Sequence, residues 1–159
     1  MLEINDTLFI RADISRVFAA FWNPRLWVKL TSHVKVINML AESDTSQTFQ
    51  MIVESDGKQH TVETTRHCEK NSWIRYKQIK PPAIFQRHEG EWKFELQDDE
   101  VKVSLKHAVE INNDIARNFF NKTDQHEIDK TVRMILLRNG RLTLEAVKAY
   151  LENTDVNAY

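Results

Sequence analysis

The sequence has 159 residues, of which 42% are apolar and 28% charged, and these proportions predict one globular domain over residues 1–159. The formal net charge of -1 at pH 7 offers no basic surface for nucleic acid and no polybasic segment for a membrane. Cys68 is the sole cysteine, which excludes an internal disulfide and argues against a thiolate metal site.

The amino-terminal residues carry acidic side chains where a signal peptide requires basic ones. No apolar run is long enough to cross a bilayer. We therefore expect a cytoplasmic protein without membrane insertion.

The first thirty residues predict a strand followed by two short helices. Leu8–Ile10 ends the strand, and Asp13 is a helix-capping residue type that precedes four apolar residues at helical spacing. Asn23 and Pro24 then resemble a cap and a first-turn proline, which predicts a second helix with Trp27 on its apolar side.

Between residues 33 and 111 apolar side chains recur at every second position, which is typical of half-buried strands. Turn-forming clusters such as Ser55-Asp56-Gly57 separate the runs. Short connections imply that successive strands are antiparallel neighbours, so the sheet has seven strands including the first. The predicted strands lie near 33–41, 46–54, 58–68, 72–80, 84–96 and 101–111.

The last third of the sequence predicts an amphipathic helix of unusual length that starts near residue 123 and covers the apolar face of the sheet. Gly140 costs roughly 1 kcal/mol relative to alanine within a helix, which leaves open a bend or a division there. We favour one continuous helix, preceded by a shorter helical segment near 114–120. The residues of its predicted apolar face are Ile128, Val132, Ile135, Leu136, Leu142, Val147 and Leu151.

Polar side chains lie on the predicted inner face of the 58–68 strand. If Val62 and Cys68 point inward, His60, Thr64 and Arg66 share their face. An inward arginine requires acceptors, because its guanidinium carries five donors and no acceptor. Arg66 is either paired with an acid on the terminal helix, extended to the rim of the sheet, or in contact with a ligand.

A histidine also occupies an inward position of the 101–111 strand. The alternation of that strand places His107 beside Leu105 and Val109. It is either a core histidine bonded to a backbone carbonyl or, with Arg66 on the same wall, part of a site for a carbonyl-rich ligand. In such a site Arg66 polarises an oxygen and His107 transfers a proton.

Aromatic residues of the inner face either fill the core or line a cavity for a flat ligand. Gln78 shares the face of its strand with one of them. His60 and His67 point to opposite faces of one strand, and His126 belongs to the distant helix, so we expect no metal site. The candidate aromatic residues are Trp27, Phe49, Tyr76, Trp92 and Phe94.

The predicted order of one strand, two short helices, a six-strand meander and a long helix defines an α+β protein. It resembles the helix-grip fold of the START-like, or birch-pollen-allergen-like, superfamily over nearly the whole chain. In that fold a curved seven-stranded antiparallel sheet holds the long carboxyl-terminal helix across its concave face.

Four segments resemble START-type aromatic polyketide aromatase/cyclases more specifically. Trp27–Ile37 resembles the helix-to-strand junction that provides a pocket tryptophan, and Glu63–Arg66 resembles the strand that ends on an inward arginine. Gly90–Trp92 and Val103–His107 resemble the tryptophan strand and the histidine strand.

The sequence also departs from that family. Val28 stands where the family often has a proline, and His60 and Val62 stand in a strand that is tryptophan-rich in the family. These departures predict a pocket of different size or substrate.

The resemblance implies a cofactor-independent polyketide cyclase, acting in antibiotic or pigment biosynthesis, without a metal. It would convert a poly-β-ketone, delivered by an acyl carrier protein, into a cyclised and dehydrated aromatic ring. Arg66 would hold the carbonyl or enolate oxygen, and His107 would act first as base and then as acid. The expected substrate-binding residues are Trp27, Phe49, His60, Thr64, Tyr76, Gln78, Trp92 and Phe94.

Two alternatives remain at this point. The first is a nonenzymatic carrier or sensor of a hydrophobic small molecule, in which Arg66 and His107 bind the polar end of the ligand. The second is an interaction module whose interior is filled by side chains.

Overall fold

The computed structural model describes residues 1–55 and 57–157 and contains every predicted element. The predicted strand limits between residues 33 and 111 agree with the observed ones to within one residue, although the turn residue Asp56 lies outside the described residues. The strands are β1 (Leu2–Ile10), β2 (Val34–Glu42), β3 (Ser46–Ser55), β4 (Lys58–Glu69), β5 (Trp73–Lys80), β6 (Phe85–Gln97) and β7 (Glu100–Ile111). The helices are α1 (Ile14–Trp22), α2 (Arg25–Leu30), α3 (Asn113–Phe120) and α4 (Gln125–Asn157).

The seven strands form one antiparallel sheet in the order β1-β7-β6-β5-β4-β3-β2. The first strand returns to the end of the meander, where it pairs with β7. Helix α4 packs against β1, β7 and the three shorter helices. The predicted helix-grip fold is therefore confirmed.

Two apolar clusters lie between the sheet and the helices, one at each half of α4. The first packs α1 and the carboxyl-terminal half of α4 against β6 and β7. The second packs α3 and the amino-terminal half of α4, including Ile128 and Val132, against the sheet. Leu142, predicted on the inner face, is 40% exposed because the buried stripe of α4 runs through Thr143 and Leu144 instead.

The two short helices differ from the prediction at their caps. Asp13 is the N-cap of α1, but its carboxylate accepts a bond from the Ser15 hydroxyl and none from the helix backbone. Pro24, and not Asn23, is the N-cap of α2. Asn23 terminates α1, where its N–H donates to the Ala19 carbonyl, so α2 begins one residue later than predicted.

Gly140 lies inside α4, which is one continuous helix as we favoured. A Cβ atom at this position would lie 2.7 Å from Leu105 Cδ2 and 3.3 Å from His107 Nε2. The close approach of α4 to β7 therefore requires glycine, despite its poor helix propensity.

Replacing Gly140 with alanine tests this close approach. Helix propensity alone predicts a gain of about 1 kcal/mol, whereas overpacking against buried Leu105 typically costs about 1–3 kcal/mol. We expect the free energy of unfolding, measured by urea denaturation, to fall. A Leu105→Val background should relieve the loss, and a G140A protein more stable than the wild type would contradict the packing.

Candidate active site

A cavity of about 170 Å³ lies between the inner face of the sheet and α4. An apolar cavity of about 150 Å³ is large enough to admit benzene, so this one has room for roughly one six-membered ring. The interior is thus not filled by side chains, which removes the structural basis for the interaction module. Of the predicted site residues, Arg66, His107, Trp27, Phe49, His60, Thr64, Tyr76, Gln78 and Trp92 line the cavity.

Phe94, which the sequence predicted as a substrate-binding residue, does not line the cavity. It is 4% exposed and its ring lies 5.6 Å from the rings of both Phe18 and Phe21. Phe94 and Trp92 do share one face of β6, but α1 covers that face at Phe94.

Several buried polar atoms of the cavity lining have no hydrogen-bond partner among the described residues. Buried polar groups are rarely left unpaired, because each one loses its bonds to water. These atoms are therefore available to a ligand with several oxygen or nitrogen atoms. They are Trp27 Nε1, His33 Nδ1, Thr64 Oγ1, Gln78 Oε1, His88 Nδ1 and His107 Nε2.

Arg66 is 1% exposed, and its guanidinium is bound by protein oxygens. Nη1 donates to the Phe21 carbonyl at 2.9 Å and Nη2 to the Trp22 carbonyl at 2.6 Å. Nε and Nη2 both donate to Gln47 Oε1, at 3.1 and 2.6 Å. The predicted ion pair with an acid on the terminal helix was wrong, as was the extension to the rim.

The surroundings of Arg66 explain how a buried cation is tolerated without a carboxylate. Its carbonyl partners belong to the last two residues of α1, where the helix dipole has its negative end. Its Cζ atom also lies 4.9 to 5.3 Å from the ring centroids of Trp22, Trp27 and Phe49. Burial lowers the pKa of Arg66 to about 9, so the side chain stays positively charged at pH 7.

His107 belongs to a buried cluster with Tyr76 and His88. The Tyr76 hydroxyl is hydrogen-bonded to His107 Nδ1 and lies 3.2 Å from His88 Nε2. The two imidazoles are themselves 3.3 Å apart, from His88 Nε2 to His107 Nδ1. His107 Nε2 lies on the opposite side of the ring, without a protein partner.

Gly90 allows this cluster to form. The sheet register aligns Tyr76 with Gly90, and Gly90 with His107, on three adjacent strands. A Cβ atom at Gly90 would overlap the Lys106 carbonyl and lie 2.5 Å from the Tyr76 hydroxyl. The phenol reaches across the glycine, so a residue without a side chain is required between Tyr76 and His107.

Sequence reasoning missed two histidines of the cavity. His88 is 6% exposed and lies four residues before Trp92 on β6, so strand alternation gave a usable signal for it. His33 lies in the connection between α2 and β2, where no periodicity applies. Its Nε2 is 3.4 Å from the hydroxyl of Thr143 on α4.

Burial keeps His33, His88, His107 and Tyr76 of the cavity lining neutral at pH 7. Burial lowers the pKa of His107 to about 4. Burial, followed by the positive charges of Arg138 and Lys35, lowers the pKa of His33 to about 4. Burial, followed by the neighbouring His107, lowers the pKa of His88 well below its usual value. Burial raises the pKa of Tyr76 well above its usual value. The one charge on the cavity wall is thus that of Arg66, because no aspartate or glutamate of the described residues lines the cavity.

The family of polyketide cyclases, dehydrases and lipid-transport proteins has a sequence model that matches residues 10–133. The chain belongs to this family. The bifunctional cyclase/dehydratase of the actinorhodin polyketide synthase of Streptomyces coelicolor is 29% identical over 136 residues, which cover 78% of this chain and 42% of that protein. The chain thus spans less than half the length of this curated relative.

Solved structures agree with this membership of the polyketide cyclase/dehydrase family. The di-domain ARO/CYC BexL from the BE-7585A biosynthetic pathway is 28% identical, with a TM-score of 0.87 over 95% of this chain and 50% of that one. A START superfamily protein from Mycobacterium smegmatis, 13% identical, has a TM-score of 0.75 over 96% of this chain and 98% of that one and shows the fold alone. The resemblance to START-type aromatase/cyclases is therefore confirmed.

Two further findings concern membrane-spanning helices and metal ligands. No helix within residues 1–55 and 57–157 is long and apolar enough to span a membrane. In the same part of the chain, no three His, Cys, Asp or Glu side chains are grouped as metal ligands.

Replacing Arg66 with lysine tests its role at the end of α1. One ammonium group cannot occupy all the positions of the fork, and each buried acceptor left unpaired costs about 1–3 kcal/mol. We expect R66K to lower the free energy of unfolding by that amount. Arg75→Lys on the exposed face of β5 is the matched control, and equal stabilities of the two variants would contradict the role.

The neutral histidines predict that stability falls in mild acid. Between the unfolded pKa near 6.5 and the folded pKa of about 4, the unfolded chain binds more protons than the folded one, so stability rises with pH. We expect the free energy of unfolding to decrease from pH 7 to pH 5, above the range where most carboxyl groups titrate. A His33→Gln variant should show a smaller decrease, and a slope equal to that of the wild type would contradict the burial of His33 as a neutral group.

Proposed function

We propose that this chain catalyses the aldol cyclisation and dehydration of a poly-β-ketone, with His107 as the acid–base group and Arg66 as the cation that stabilises the enolate. The observation that carries the proposal is that His107, whose Nε2 has no hydrogen-bond partner, lines the same cavity as the charged Arg66. A neutral imidazole and a permanent cation are what proton transfer and enolate stabilisation require.

The proposed reaction begins at a methylene group between two carbonyls, whose hydrogen is already acidic. His107 Nε2 takes this proton, and the electron pair of the broken C–H bond forms an enolate. The enolate carbon attacks a second carbonyl of the same chain, and the resulting alkoxide takes the proton back from His107. Loss of a second methylene proton to His107 and return of a proton to the departing hydroxyl release water. The steps balance without an oxidant or a reductant.

Arg66 acts in this proposal through its charge and one remaining donor. Four hydrogen bonds engage Nε, both protons of Nη2 and one proton of Nη1. The second proton of Nη1 has no acceptor among the described protein atoms. Because the guanidinium is held from three sides, it is preorganised and needs no rearrangement as the enolate charge develops.

The remaining lining selects the shape of the substrate. The rings of Trp27 and Trp92, whose centroids are 6.3 Å apart, bound the cavity with apolar surface, while Thr64 and Gln78 offer unpartnered polar atoms. An apolar wall with separate polar positions suits a chain that alternates methylene and carbonyl groups. The volume of about one ring further restricts which cyclisation is accommodated.

The comparisons support the polyketide part of the proposal. The curated relative is named a cyclase/dehydratase of a polyketide synthase, and a similar structure is named an ARO/CYC. Delivery of the substrate by an acyl carrier protein follows from the same resemblance and belongs to the proposal.

The second candidate function is that of a carrier for a hydrophobic molecule. The description of the family includes lipid transport, and the cavity walls are largely apolar. A carrier requires binding but no proton transfer, so the two functions differ in what His107 does.

The test follows ring formation from a linear poly-β-ketone supplied on an acyl carrier protein, with and without the purified chain. We expect the chain to accelerate one cyclised product above the spontaneous mixture. His107→Gln should lower the rate by roughly 10²-fold or more, the contribution of a positioned acid–base group, while an unreactive analogue still binds. His67→Gln, on the exposed face of β4, is the matched control. Binding without any change in the product mixture would establish the carrier instead.

A further inference from the structure

We infer that Tyr76 and His88 are positioning residues that relay protons to and from Nδ1 of His107, so that its Nε2 serves as base in one step and as acid in another. This inference rests on the proposed function, because it assigns His107 both roles. The observation behind it is the closed triangle of the Tyr76 hydroxyl, His88 Nε2 and His107 Nδ1, together with the absence of a protein partner for the other ring nitrogen of His107, Nε2.

Two arrangements of the protons fit this triangle. In the first, His107 Nδ1–H donates to the Tyr76 oxygen, whose hydroxyl donates to His88 Nε2, and His107 Nε2 has a free electron pair. In the second, His88 Nε2–H donates to the Tyr76 oxygen, whose hydroxyl donates to His107 Nδ1, and His107 Nε2 carries the proton. Neutral His88 carries its proton on Nδ1 in the first arrangement and on Nε2 in the second, so conversion of one into the other removes a proton from His88 Nδ1 and adds one to His107 Nε2. The heavy atoms occupy the same positions in both arrangements.

The relay conserves protons during the reaction. When Nε2 of His107 accepts a methylene proton, Nδ1 passes its own proton to Tyr76, and Tyr76 passes its hydroxyl proton to His88 Nε2. The added positive charge then resides on His88, whose Nδ1 and Nε2 both carry a proton, and His107 is neutral with its proton on Nε2. The reverse transfer returns the proton to the alkoxide or to the departing hydroxyl, and the cluster recovers its first arrangement.

The neutral partners of His107 distinguish this site from a histidine held by a carboxylate. A carboxylate at Nδ1 fixes the proton there and favours a single tautomer. Among the described residues, no carboxylate is bonded to Tyr76, His88 or His107. A phenol and a second imidazole can each donate or accept, so neither tautomer of His107 is imposed.

The surroundings limit other routes for the proton. On the side of α4, His107 faces Gly140, which has no titratable group. Glu89 acts on Tyr76 only through space and raises its pKa further, after burial. On β6, the ring of Phe85 packs 5.4 Å from that of His88. Among the described residues, the side chain of His107 is therefore hydrogen-bonded to the rest of the protein through this triangle.

Two conservative variants test the relay. Tyr76→Phe removes one oxygen and keeps the ring, and His88→Gln keeps a hydrogen-bonding side chain that cannot both give and take a proton at one atom. We expect each to lower kcat by roughly 10- to 100-fold, the range found when the hydrogen-bond partner of a metal-ligating histidine is lost, with little change in KM. The controls are Tyr150→Phe on α4 and His67→Gln on β4.

A second measurement needs no substrate. In the free wild-type chain at pH 7, nitrogen-15 spectra of His107 should show both ring nitrogens at intermediate shifts, because the two tautomers exchange. Each variant should move the shifts toward a single tautomer, whereas the control variants should leave them unchanged.

The two measurements separate the relay from the proposed function. If the wild type cyclises the substrate but both variants keep its kcat, the relay is wrong and the proposed function stands. If the wild type does not accelerate cyclisation, the proposed function is wrong, and the spectra then decide the relay alone. A single tautomer of His107, the same in the wild type and the variants, would overturn the relay in either case.

Discussion

The guanidinium of Arg66 closes the carboxyl end of α1 from within the sheet, and the inner wall of the cavity depends on this contact. One side chain of β4 binds the last two carbonyls of α1 and the Gln47 side chain of β3. Helix ends leave their last carbonyls unsatisfied; here Arg66 supplies a donor to the Phe21 carbonyl, and Arg66 and the Gln47 Nε2 group both donate to the Trp22 carbonyl. The contact also fixes the position of the chain that leads into α2, and with it the ring of Trp27.

Burial lowers the pKa of both Arg66 and His107, but it leaves Arg66 charged and His107 neutral at pH 7. Arg66 retains its charge because backbone carbonyls at the end of α1 and the rings of Trp22, Trp27 and Phe49 lie around its guanidinium. His107 loses its charge because its partners are a phenol and another imidazole, neither of which compensates a cation. The cavity lining therefore combines a charged guanidinium with a neutral imidazole at pH 7.

Strand alternation was sufficient to predict most of the sheet and the inward faces of β4 and β7, because a period of two admits just two orientations. It could not predict Phe94, since the pattern gives the face of a strand but not the element that covers it. His88 had a signal, its even spacing from Trp92, whereas His33 in a connection had none. The backbone partners of Arg66 could not be predicted from the sequence, because every residue has a backbone carbonyl and the residue type does not indicate which carbonyl accepts.

The helical period was less informative than the strand period. Leu142 was assigned to the inner face of α4 because leucine suits a core, yet the helix turns Gly140 and Thr143 toward the cavity. The residue type at position 140 of this helical turn is set by the space that β7 leaves, and hydrophobicity does not determine it. A glycine that lies inside a regular helix, with no turn and no unusual backbone angle, therefore indicates close packing.

The position of Gly140 gives the fold a way to change the size of the cavity without altering its chemistry. The atom nearest to a side chain at this position would be Leu105 Cδ2, and the next would be His107 Nε2. Any enlargement at 140 must therefore be matched by a reduction at 105, and the two positions should vary in opposite directions during divergence. Such a coupled pair would let related chains accept smaller or larger substrates while the histidine and its phenol partner stay in place.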